Sequence, residues 1–104
     1  MRRGEVWWAE LPPPLGRRPV ILLSRDEAYK VRHAVTVAEI TTVIRHIPVE
    51  VFLSKEDGLP KPCVANLDTI ITMRKDLLKE RISMLSPAKI EEINTAIKFA
   101  LDLL

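Results

Sequence analysis

Arg17-Arg18-Pro19-Val20-Ile21-Leu22-Leu23-Ser24 is the stretch that decides the fold. Its five-residue apolar run, Pro19 to Leu23, is β-rich and too short for a typical helix, so it reads as a buried strand. Pro19 suits the first position of such a strand, where no ladder donor is needed. Two guanidinium groups, Arg17 and Arg18, stand at its mouth and offer forked donors matched to phosphate geometry. A solvated loop cation fits the same place, and the neighbouring residues decide between the two readings.

On the N-terminal side, Gly4 to Glu10 forms a first strand with Val6, Trp8 and Glu10 on one side and Trp7 and Ala9 on the other. One tryptophan then faces the core and the other the second face; both pack, or one offers a stacking surface for unpaired bases. Leu11 to Arg17 is a loop in which Pro12-Pro13-Pro14 forbids ladder donation and Gly16 permits an unusual turn. On the C-terminal side, Arg25 to Val31 is polar with room for one helical turn at Asp26-Glu27-Ala28. Ala34 to Thr41 is a third strand with β-branched residues along its length. Thr42 to Ile47 connects it to a half-buried fourth strand, Pro48 to Leu53, in which Val49, Val51 and Leu53 alternate with Glu50 and Phe52.

Lys55 to Pro60 is a turn around Asp57-Gly58. Cys63 to Leu67 and Thr69 to Met73 read as two short strand segments bending near Asn66-Leu67-Asp68, Arg74 to Lys79 as a turn, and Arg81 to Leu85 as a last strand. Ser86-Pro87 opens a helix, Ser as N-cap and Pro at the first helical position. Ile90, Ile93, Ile97, Ala100, Leu101 and Leu104 fall on one helical face, with charged and polar residues opposite. Five to seven short strands followed by one amphipathic helix predict an α+β chain that is mainly β: a small barrel or strongly bent sheet sealed by the C-terminal helix.

A length of 104 residues predicts one domain, residues 1–104, with a modest core. No apolar run approaches the roughly 18 residues that span a membrane, and no apolar stretch follows Met1 to Glu5, so neither a membrane span nor a signal peptide is expected. Cys63 is the single cysteine, which predicts a cytosolic home and a small packed side chain rather than a reactive thiol. No Cys/His cluster has zinc spacing, and neither a P-loop nor a nucleophile elbow is present. Net charge is only +2, but residues 1–52 hold eight basic residues, seven of them arginines, against six acidic ones. An arginine-weighted half suits phosphate or carboxylate recognition.

Any chemistry therefore falls to isolated polar groups on strand ends. Arg18 is the first candidate and Thr41, which ends the third strand, is the second. If the second and third strands are antiparallel neighbours, the start of one and the end of the other share an edge, where a guanidinium and a hydroxyl converge on one phosphate.

Five ordered motifs carry a resemblance: Arg3-Gly4-Glu5-Val6-Trp7; Arg18 to Ser24; Val37-Ala38-Glu39-Ile40-Thr41; Glu56-Asp57-Gly58-Leu59-Pro60 with Ala65-Asn66-Leu67-Asp68; and Arg81-Ile82 with Leu85-Ser86. Together they resemble the MazF/PemK family of toxin endoribonucleases. The resemblance implies a small SH3-like barrel of the CcdB/PemK type that works as a homodimer. It further implies cleavage of single-stranded RNA, usually mRNA, at short sequences without metal or other cofactor, and neutralisation by a cognate antitoxin that joins the toxin in a DNA-binding complex. It places the family's catalytic arginine on Arg18 and its catalytic threonine on Thr41. Such cleavage uses the substrate's own 2′-hydroxyl, so the protein supplies phosphorane stabilisation, alignment and proton transfer. Arg18 suits the first of these, because an arginine does not readily give up its proton.

Some relatives carry a glutamate in the loop before the Arg-Pro pair; here Pro12 to Arg17 has no carboxylate, so the base is left open among Arg18, a histidine and water. His46 has a suitable intrinsic pKa, although an exposed loop histidine explains it as well, and His33 likewise. Arg17 and Arg25 are candidate backbone-phosphate contacts, and Ser24 is a candidate RNA contact or a satisfied strand-end hydroxyl. Asn66 and Asp68 either read base edges or cap the bend. Two competing functions share the barrel: a non-enzymatic CcdB-like gyrase poison, which relies on a C-terminal tryptophan where this chain ends Leu101-Asp102-Leu103-Leu104, and a catalytically silent RNA-binding barrel.

Overall fold

Strand-forming sequence dominates the first 84 residues of the computed structural model, which describes residues 1–104. In chain order the elements are β1 (Glu5–Leu11), β2 (Gly16–Leu22), α1 (Ala28–Val31), β3 (Ala34–Thr41), β4 (Glu50–Leu53), β5 (Cys63–Arg74), β6 (Leu78–Met84) and α2 (Pro87–Ala100), with single 3-10 turns at Lys55–Asp57 and Lys75–Leu77. The six strands form one antiparallel sheet in the order β4-β5-β3-β2-β1-β6, bent into a half-barrel.

The bend lies where the sequence suggests it, but β5 runs through it as one strand. Ala38 pairs with Ile70 while the next residue, Glu39, pairs with Asn66, so Leu67, Asp68 and Thr69 are extra on β5. Such an insertion curves the strand that carries it. Asn66 Oδ1 accepts the Asp68 amide at 2.9 Å and pins the kink, and Leu67 drops into the core.

Both faces of the central strands are buried, which is why Val20 to Leu22 is a continuous apolar run rather than an alternating one. On one face Val6, Ile21, Ala38, Ile40, Leu53 and Ala65 pack under Ile93 and Ala96 of α2. On the other, Ala9, Val20, Leu22, Val35 and Val37 pack with Tyr29, Met73 and Leu78. Burial, with Asp26 nearby, pushes the Tyr29 phenol up to about 12, and its hydroxyl donates to the Ser24 carbonyl at 3.0 Å.

Four expectations change. β2 begins at Gly16, so Pro19 is an interior residue. Leu23 N donates to Thr36 O on β3, and alternate residues point the same way, so the missing N–H of Pro19 faces β3, beyond the last β2–β3 pair, Val20 with Glu39. β4 starts at Glu50, not Pro48, because the chain turns there and the Glu50 amide donates to the Ile47 carbonyl. β6 starts at Leu78, not Arg81; Lys79, Glu80 and Arg81 are exposed on an edge strand whose pairing with β1, not its own periodicity, defines it. α2 ends at Ala100, with Asp102 at φ 56, so Leu101 and Leu104 are exposed rather than core. Its start is as expected: Ser86 Oγ accepts the Lys89 amide at 3.2 Å with Pro87 at the first turn.

Candidate active site

β2 and β3 are antiparallel neighbours whose last pair is Val20 with Glu39; extended two residues past the end of the ladder, that register sets Arg18 opposite Thr41. Opposed residues on antiparallel strands share a face, so Arg18, Glu39 and Thr41 lie on one side of the sheet where the ladder stops. Pro19 ends the ladder here, because no donor remains to tie β2 to β3.

Arg18 is held at two points. Its Nη1 donates to Glu39 Oε1 at 2.9 Å and its Nε to the Leu15 carbonyl at 3.2 Å. Nη2 has no protein partner, and its atoms reach solvent, since no side-chain polar atom is both buried and unpaired. The side chains are 36 % and 21 % exposed. The outcome is a guanidinium held through Nε and Nη1 with its Nη2 open, suited to a phosphate oxygen.

Thr41 closes β3, and its Oγ1 accepts the Val43 amide at 3.2 Å, leaving the hydroxyl proton free to donate outward. Beside it lies an apolar cleft of about 210 Å³, lined by Trp8, Pro19, Ile40, Thr41, Leu59 and Lys61 among others. The turn that brings Leu59 here depends on Gly58, at φ +92. A Cβ at Gly58 would stand 2.5 Å from Ser83 Cβ. Cys63 lines the same cleft but is buried; burial, with Asp57 nearby, pushes its thiol up, so it is a packed side chain.

The remaining sequence candidates divide. Arg17, adjacent in sequence to Arg18, points to the opposite face of β2. There it stacks over the Trp8 ring at 4.8 Å and pairs with Glu80 at 2.9 Å. Trp7 packs with the second cluster, its Nε1 donating to Glu5. Ser24 and Arg25 lie beyond the far end of β2, about 20 Å from Arg18 at ~3.3 Å per residue. Ser24 Oγ accepts the Thr36 amide at 2.8 Å, the satisfied strand-end hydroxyl, and Arg25 is exposed with Glu27 at 4.0 Å. Asn66 is buried opposite Glu39 and caps the bend, while Asp68 is exposed. His46 is exposed, with φ 57, in the loop after Thr41, and His33 is exposed at the opposite end of β3.

One residue the sequence reading passed over joins the site: Glu39. The signal was present, because a carboxylate interrupts a strand of β-branched residues two positions before Thr41 and therefore on the same face.

Fold and site together define a small half-barrel protein with a partly open guanidinium at the mouth between two strands. Residues 2–101 match the family of PemK-like, MazF-like toxins of type II toxin-antitoxin systems. The probable endoribonuclease MazF5 of Mycobacterium tuberculosis is 39 % identical over 96 % of this chain and 92 % of its own length. The endoribonuclease MazF of Staphylococcus saprophyticus is also 39 % identical, over 99 % of this chain and 92 % of its own. Among solved structures, the M. tuberculosis toxin MazF-mt6 superposes with a TM-score of 0.89 at 31 % identity, covering 96 % of this chain and 98 % of that one. A mycobacterial endoribonuclease in complex with its cognate antitoxin also gives 0.89, at 32 % identity, covering 100 % of this chain and 97 % of that one. The chain belongs to the MazF/PemK-like toxin family of type II toxin-antitoxin systems.

Proposed function

We propose that this MazF-type toxin endoribonuclease, one domain spanning residues 1–104, cleaves single-stranded RNA by internal transesterification. The substrate 2′-hydroxyl attacks the adjacent phosphate and leaves 2′,3′-cyclic phosphate and 5′-hydroxyl ends, with no metal in the reaction. Arg18 stabilises the charge that develops on the phosphorane through its open Nη2 edge. Thr41 donates its hydroxyl to the same phosphate and aligns it. What supports this reading is the β2–β3 register, which extended past Val20–Glu39 puts Arg18 across from Thr41, and the guanidinium held through Nε and Nη1 with Nη2 open. The protein acts in the cytoplasm as a homodimer and is neutralised by a cognate antitoxin.

Asn66, paired with Glu39, and Asp68, two residues on in the kink, are the better candidates for base contacts; Arg17, stacked on Trp8 at the rim of the cleft, suits a backbone contact, and Ser24 and Arg25 lie at the far end of β2. The relatives bear the name endoribonuclease, and both tryptophans lie on β1 rather than near the C-terminus, so the gyrase-poison alternative has no feature of this chain behind it. The test is incubation of purified protein with single-stranded mRNA in EDTA, followed by end mapping. Cleavage leaving 5′-hydroxyl ends is expected; no cleavage, or 5′-phosphate ends, refutes the mechanism.

A further inference from the structure

We propose that Glu39 is the general base that takes the proton from the attacking 2′-hydroxyl. The inference rests on the transesterification reading above and names the group that moves the proton.

Glu39 lies in a row of three polar residues on adjacent strands: Glu39 of β3 opposite Asn66 of β5, which is itself opposite Glu50 of β4. In two of the three the side-chain acceptor oxygens are taken by backbone amides. Glu50 accepts the Arg45 and His46 amides at 2.9 Å each, and Asn66 Oδ1 accepts the Asp68 amide. Glu39 differs, because only Oε1 is engaged, by Arg18 at 2.9 Å, and Oε2 has no protein partner. It is not buried and unpaired, so it reaches solvent. The ion pair therefore presents one open donor edge, Arg18 Nη2, beside one open acceptor, Glu39 Oε2. A ribonucleotide at its cleavage site presents the complementary pair, a phosphate oxygen and a neighbouring 2′-hydroxyl.

Beyond holding Arg18, a carboxylate at this position is a cost. Glu is disfavoured in strands, and a negative charge beside the scissile phosphate weakens RNA binding by neutralising Arg18. A proton-accepting role explains its presence. His46 is the competing base: it is exposed in the loop that follows Thr41, with no carboxylate or carbonyl orienting its ring.

The step balances without any co-reactant. As the O2′–P bond forms, the O2′ proton passes to Glu39 Oε2. As the P–O5′ bond breaks, the leaving 5′-oxygen takes a proton from solvent water, and the protonated Glu39 returns its proton to solvent.

Glu39→Gln is the diagnostic variant. Its amide oxygen still accepts from Arg18, so it keeps the guanidinium in place while removing the base. The single-turnover cleavage rate is expected to fall about 100-fold or more, RNA binding to be unchanged or tighter, and the melting temperature to stay near that of wild type. In Glu39→Ala, added formate is expected to restore part of the rate by refilling the carboxylate position beside Arg18, while Glu39→Gln, which keeps the contact to Arg18, isolates the loss of the base. A Glu39→Gln rate within threefold of wild type overturns the assignment, as does a Glu39→Ala rate that formate leaves unchanged. Loss of cleavage in His46→Ala with full activity in Glu39→Gln transfers the role to His46 and also overturns it. If wild type leaves 5′-phosphate ends, transesterification itself fails; if it leaves 5′-hydroxyl ends and Glu39→Gln is fully active, only the role of Glu39 fails.

Discussion

Arg18→Ala separates catalysis from folding, and the structure gives both magnitudes. The side chain makes one ion pair, with Glu39, and one hydrogen bond, to the Leu15 carbonyl. A partly exposed ion pair contributes about 0.2–1 kcal/mol after solvent screening, and a neutral acceptor adds on the order of 1 kcal/mol. Truncation therefore costs the fold about 1–2 kcal/mol, a melting-temperature drop of roughly 4–10 °C for a chain of this size.

The cost to catalysis is larger. Removing one donor to a developing oxyanion lowers a rate by about 10²–10³-fold. The open edge carries the two N–H bonds of Nη2, and Glu39, once unpaired, repels the phosphate. A loss of ~10³–10⁴-fold is expected, equivalent to about 4–5.5 kcal/mol of activation free energy. Arg18→Lys keeps the charge but not the planar fork and should fall between the two. The assay is single-turnover cleavage of an end-labelled single-stranded RNA in EDTA, with melting curves on the same preparations. A folded Arg18→Ala protein cleaving within tenfold of wild type would refute the reasoning.

Three other outcomes are expected. Thr41→Val removes a hydroxyl at nearly constant volume and should slow cleavage about tenfold or more with little change in melting temperature; an unchanged rate removes Thr41 from the site. Glu5 is 7 % exposed; burial alone would raise its pKa, but hydrogen bonds from Trp7 Nε1, the Arg2 amide and Arg81 Nε outweigh that and hold it below its ordinary 4.5. A lowered carboxylate contributes stability above its unfolded pKa and loses it as pH falls through the folded value. The melting-temperature advantage of wild type over Glu5→Gln should therefore be full at pH 7 and shrink at pH below 4.5; a pH-independent gap contradicts this. Gly58→Ala places a methyl 2.5 Å from Ser83 Cβ at φ +92, a combination costing about 2–3 kcal/mol, measured by urea unfolding; a shift below 0.5 kcal/mol would show that the turn relaxes freely.

Elements whose residues carry their own signal were legible in sequence. β3 runs from Ala34 to Thr41 as read from its β-branched run, and α2 opens at Ser86-Pro87. The bend near Asn66 was legible from its turn chemistry, and the antiparallel pairing of β2 with β3 from strand order. β6 was mislocated because an exposed edge strand needs no apolar period; its pairing with β1 supplies the missing order. The length of α2 was overstated because periodicity reports which side would be apolar, not whether anything lies there to pack against, and nothing covers Leu101 or Leu104.

At the site, sequence by itself determined which residues carry charge and which faces they share, since side-chain parity along a strand is local geometry. It thereby contained the separation of Arg17 from Arg18 and the grouping of Glu39 with Thr41. Only the tertiary structure decided that β2 and β3 meet in the register that sets Arg18 across from Thr41 and within 2.9 Å of Glu39. Val20, Ile21 and Leu22 are buried on both faces and tolerate either; it is Arg18 that a one-residue slip would turn to the opposite face, away from Glu39.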